Sequence, residues 1–97
     1  MSAPSILQDL DDHPRCYVTG STVGLHKHHI YGGPNRTTSD RMGFWVWLRW
    51  DVHMDLHDHR EPWAHLQHQL RVECQREFES RGRTREEFMD LIGRSYL

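Results

Sequence analysis

Apolar residues recur along this chain with a period that changes from two to between three and four, and that change divides it into elements. Phe-Trp-Val-Trp-Leu-Arg-Trp, from Phe44 to Trp50, alternates. It sets Phe44, Val46 and Leu48 on one face and Trp45, Trp47 and Arg49 on the other, as a strand requires. Upstream, Tyr17 and Val18 favour a first strand and Gly20-Ser21 a turn, and Val23 to Tyr31 reads as a second extended stretch. Gly32-Gly33-Pro34-Asn35 breaks it, and the polar run from Asn35 to Met42 reads as a loop. Asp51 is placed to cap a short helix from about Val52 to Asp58, ending before Glu61-Pro62. From Trp63 to Arg81 the apolar positions Trp63, Leu66, Leu70, Cys74 and Phe78 step by threes and fours, an amphipathic helix stopped by Gly82. Thr84-Arg-Glu-Glu87 predicts a capping box for a last helix carrying Phe88, Leu91 and Ile92 and closed by Gly93. The order is strand, strand, loop, strand and three helices, an α+β domain over residues 15–97. Residues 1–14 form an N-terminal arm with Pro4, Pro14 and the acids Asp9, Asp11 and Asp12, in which Ile6, Leu7 and Leu10 share a short helical face.

Composition sharpens this outline. At 97 residues and 36% apolar content, the chain buries only a small core and is expected to lean on a metal, a partner or a second copy, as in a homodimer. The longest apolar run falls far short of a membrane span, and the N-terminus lacks the basic-then-apolar order of a signal peptide. The expectation is a cytoplasmic protein without a membrane partner. Two cysteines, Cys16 and Cys74, cannot build a disulfide framework or a four-cysteine zinc site by themselves. A net charge of −2 argues against a broad electrostatic coat for nucleic acid, but leaves room for a local arginine-lined cleft. Lys27 is the single lysine beside eleven arginines, whose planar fork binds phosphate bidentately.

Histidine changes the picture most. Eight of the nine lie between His26 and His68. His53 and His57, four apart on the short helix, can aim two imidazoles at one ion, and the His28-His29 pair can supply the third nitrogen from the preceding strand. His26 reads as an exposed position or a spare ligand, and His59, His65 and His68 as solvated positions, with His59 nearest the site. A structural zinc site without catalysis uses the same ligands, because a core this small gains from such a staple.

At these residues the chain resembles the HNH endonucleases of the ββα-metal class. The stretch from His28-His29-Ile30-Tyr31-Gly32-Gly33 to Asn35-Arg36 is similar to small phage- or prophage-type members, as are Cys16-Tyr-Val-Thr-Gly20, Thr84-Arg-Glu-Glu-Phe-Met89 and the closing Gly-Arg-Ser-Tyr-Leu97. The resemblance covers about residues 15–97. It implies a ββα-metal hairpin-and-helix core and metal-dependent cleavage or nicking of DNA. It also implies one divalent ion (zinc, magnesium, manganese or nickel) on His28, His53 and His57, with His29 as general base. Asn35 or Asp40 fills the middle position of the motif, and Arg36, Arg41, Arg49 and Arg60 are the candidates for phosphate and DNA contacts, Arg36 also for a catalytic role. The rival expectation is a non-catalytic, zinc-stabilised binding module, such as a phage-encoded inhibitor of a host or defence protein. Trp45, Trp47, Trp50 and Trp63 are either core or base-stacking platforms, and Cys16 and Cys74 read as buried thiols.

Overall fold

The computed structural model describes residues 3–9 and 13–97, so Leu10, Asp11 and Asp12 of the expected arm lie outside the described residues. Two strands, β1 (Leu25–His29) and β2 (Trp45–Arg49), pair antiparallel with Leu25 opposite Arg49 and His29 opposite Trp45. Between them run a 3₁₀ turn (Gly33–Asn35) and a helix α1 (Arg36–Met42). After β2 the chain turns directly into α2 (Trp50–His57), then α3 (Leu66–Ser80) and α4 (Arg85–Ile92). This is a mixed α+β fold, a hairpin with helices packed against it. No helix among the described residues is long and apolar enough to cross a membrane.

The alternation along β2 does what its pattern requires. Phe44, Val46 and Leu48 are fully buried on the side of α2 and α3, where Ile30, Leu56, Leu70, Cys74, Phe78 and Phe88 join them. Tyr31, Phe44, Phe78 and Phe88 meet edge-on or tilted, with ring centroids 5.4 Å apart for Tyr31 and Phe88 and 6.0 Å for Phe44 and Phe88. Such pairs add roughly 0.5–1.5 kcal/mol each beyond area burial. The capping box forms as expected, with the Glu87 amide donating to Thr84 Oγ1 at 3.0 Å and the Thr84 amide donating to Glu87 Oε1 at 3.0 Å.

The other side of the hairpin is covered by the arm. Trp45 Nε1 donates to the Ala3 carbonyl at 2.8 Å, and the Ile6 amide donates to the Gly43 carbonyl at 3.0 Å. The outer edge of β2 is closed by single bonds rather than by a strand. Ser5 Oγ donates to the Trp45 carbonyl, the Trp47 amide donates to Gln8 Oε1, and the Tyr17 amide donates to the Trp47 carbonyl. An edge strand satisfied in this way offers no ladder to another chain.

Three local expectations are corrected. Tyr17 and Val18 lie in a turn, closed by the Cys16 amide on the Ser21 carbonyl and the Gly20 amide on the Cys16 carbonyl, so there is no third strand among the described residues. The run expected as a loop from Asn35 to Met42 is α1. Its one buried side chain, Ser39, bonds both the amide and the carbonyl of Tyr31, and Gly43 ends it at φ 77°. A helix with a single buried serine has no apolar stripe, hence no periodic signal. Finally, α2 starts at Trp50 with Arg49 at its N-cap position and no side-chain capping bond, while Asp51 sits in its first turn and α3 starts at Leu66 rather than Trp63.

Candidate metal centre and its cleft

His28 is the fourth residue of β1 and points to the core side of the hairpin, where it is only 2% exposed. The turn from β2 straight into α2 brings His53 and His57 over it. Ring centroids are 5.1 Å apart for His28 and His53, 5.5 Å for His28 and His57, and 4.7 Å for His53 and His57. One nitrogen from each ring lies within 4.8 Å of the other two, and the Nε2 atoms of His53 and His57 face each other at 3.1 Å. Nitrogens around a tetrahedral zinc ion at 2.0–2.1 Å stand roughly 3.3 Å apart, so small ring rotations close the set on an ion.

The electrostatics suit a cation. Burial and the neighbouring imidazoles hold His28 down to about 4, against the pull of its bond to Gln67. Burial, His57 and His26 hold His53 to about 4. Both are therefore neutral, with a lone pair to give, at any pH above about 5. Two further groups touch the set. His28 Nε2 lies 2.6 Å from Gln67 Oε1, and His53 Nδ1 lies 3.2 Å from His26 Nδ1.

Adjacent strand residues face opposite ways, and His29 does turn away from His28. Its Nε2 meets Asp40 Oδ1 at 3.1 Å, and the same oxygen accepts from Lys27 Nζ at 2.6 Å. Lys27 also stands 4.5 Å over the Trp45 ring. Yet His29 ends the strand, and the chain falls away at Gly32-Gly33. One shallow cleft of about 230 Å³ is therefore lined by Lys27, His28, His29, Gly32, Gly33, Arg36, His53 and His57. No carboxylate lines it. Side chains added at Gly32 or Gly33 would project into open space, and Gly33 holds φ +57°, so the floor stays low and open for a ligand.

Of the remaining candidates, Arg36 lines the cleft. Asn35 does not. Its Nδ2 donates to the Ile92 carbonyl at 3.0 Å and ties the 3₁₀ turn to the end of α4. Arg49 grips Asp51 with two bonds of 2.6 and 2.7 Å, Arg41 is exposed at the end of α1, and Arg60 is exposed beyond α2. None of these three lines the cleft. Of the four tryptophans, Trp45 is buried, Trp47 and Trp63 are half-buried, and only Trp50 stands mostly in solvent, at 51%. Cys16 and Cys74 are buried free thiols outside the histidine set. Gln67, Lys27 and the bond from His26 to His53 are what sequence reasoning missed. Gln67 lies thirty-nine residues from His28 on a helix whose polar positions look alike, and nothing local distinguishes it. Comparisons with protein-family models, curated proteins and solved structures return no match.

Proposed function

We propose that this chain is a metal-dependent phosphodiester hydrolase that cleaves or nicks DNA, as the resemblance to HNH endonucleases implies. The observation that supports it best is the cleft, where three convergent imidazoles, a fourth histidine, an arginine and a lysine meet, with Asp40 standing behind His29 and Lys27. That is a receptor for an anion beside a cation. His28, His53 and His57 would hold one divalent ion, which when bound stabilises charge on the phosphate and on the departing oxygen.

The chain's own groups fill the remaining roles. Asp40 as a carboxylate only accepts, so His29 donates to it through Nε2 and keeps the Nδ1 lone pair for a proton from water. Lys27 fixes Asp40 from the other side, which holds the His29 ring in one orientation. Asp40 is thus the better candidate than Asn35 for the middle position of the motif, because Asn35 is committed to the Ile92 carbonyl. Arg36 is free to fork onto the phosphate at the mouth of the cleft.

The test is nicking of supercoiled plasmid with magnesium, manganese, nickel or zinc added in turn. His29→Ala should keep its metal and its melting temperature while losing roughly a hundred- to ten-thousandfold in rate. A parent protein that binds zinc but leaves plasmid intact with every ion is the zinc-stabilised binding module instead. If His29→Ala cuts as fast as the parent, His29 is not the base.

A further inference from the structure

Resting on that metal centre, we infer that Gln67 is a positioning residue that fixes the tautomer of His28 and so decides which of its nitrogens meets the ion. Gln67 stands in the first turn of α3, an element that carries none of the three ligands. Its Nε2 donates to the Ile30 carbonyl at 3.1 Å. A carbonyl only accepts, so this bond fixes which way the amide faces, and it turns Oε1 toward His28 Nε2 at 2.6 Å. Flipping the amide would set its oxygen against the Ile30 oxygen. With Oε1 also an acceptor only, the proton between the two groups belongs to His28 Nε2. A neutral imidazole carries one such proton, so Nδ1 holds the lone pair. His28 therefore offers Nδ1 to an ion, while His53 and His57 turn Nε2 atoms toward each other.

Burial makes this bond matter. His28 is almost wholly out of water, so its N–H has no solvent to fall back on, and losing Gln67 would leave it to seek another acceptor by rotating the ring. Partners of this kind, on the far nitrogen of a ligating histidine, are worth about 10- to 100-fold in metal affinity. The Ile30 carbonyl does not depend on Gln67, since Arg71 Nε also donates to it at 3.2 Å. Removing Gln67 therefore orphans one group, the imidazole.

Two variants and one spectrum test this. In the metal-free parent at pH 7, long-range ¹H–¹⁵N correlation should find His28 in the Nε2–H form. Gln67→Met, similar in length but with no oxygen acceptor, should fold with a metal-free melting temperature lowered by several degrees, the cost of the orphaned N–H, and should weaken zinc binding about 10- to 100-fold in competition with a chelator. Gln67→Glu, which retains an acceptor, should bind within about threefold of the parent. An Nδ1–H form of His28 in the parent, parent-like zinc affinity in Gln67→Met, or an equal loss in both variants would overturn the proposal. Should Gln67→Met fail to fold, the parent spectrum and Gln67→Glu still decide. A parent that takes up no zinc overturns the metal centre itself, while the His28 spectrum separately reports whether Gln67 holds the ring.

Discussion

His28 and Ile30 lie two residues apart on the same side of the hairpin, yet they belong to regions built on opposite principles. Around Ile30 the packing is apolar, with Tyr31, Phe44, Phe78 and Phe88 interlocked and buried. Around His28 three imidazoles crowd one another edge-on, His28 buried, His53 half-buried and His57 exposed, an arrangement with no apolar reason to exist. The first region stabilises the chain, and the second is stabilised by it. The histidine set sits where the core ends, with His28 packed beneath it and His57 left open to solvent.

If that division holds, damage on the two sides should look different. The largest effect belongs to the core. Phe44→Ala removes a fully buried ring that meets three others and should cost about 3–5 kcal/mol, lowering the melting temperature by some 15 °C or more whatever the metal content. A loss that vanished on adding metal would break the division.

Acid comes next, and above the carboxylate range it acts through the buried histidines of the cleft. The unfolded chain begins to protonate its histidines near 6.5, whereas His28 and His53 resist until about 4. Between these values the unfolded state binds more protons, so metal-free protein loses stability as pH falls from about 6.5 toward 4. The loss attributable to His28 is about 3 kcal/mol, and the half-exposed His53 adds less. Denaturant melts of chelated protein at pH 7 and pH 5 should show about 2 kcal/mol of the His28 loss, the rest falling below pH 5, and His28→Asn should flatten that dependence. An unchanged slope in His28→Asn would move the acid sensitivity elsewhere.

Metal should act in the opposite direction. Zinc at a hundred times its dissociation constant raises folding stability by about 2.7 kcal/mol, and chelation reverses the gain. Calorimetry with and without zinc checks this, and His57→Ala should show no such rise. The smallest effect is on phosphate recognition. Arg36→Lys keeps the charge but loses the fork, and should slow plasmid nicking about tenfold with no change in melting temperature. Full activity in that variant would move the phosphate contact off Arg36.

What the sequence alone determined are the features written in local spacing. Alternation marked β2, steps of three and four marked α3, Thr84 and Glu87 marked the start of α4, and His53-x-x-x-His57 put two imidazoles on one face of a helix. Delivery of the His28-His29 pair to that face was also legible from a hairpin followed by a helix, whereas the choice of His28 over His29 rested on the resemblance. What remained hidden is of one kind. Whether Asn35 serves the cleft or α4, whether Arg49 is free or held by Asp51, and which polar residue of α3 reaches His28 are choices among partners far apart in the chain or equal in local chemistry. Helix α1, with its lone buried serine, and the arm that closes β2 belong with them. Periodicity records which face of an element is buried, since burial repeats with the backbone. A single hydrogen bond repeats with nothing, so only the packed tertiary structure decides where it is made.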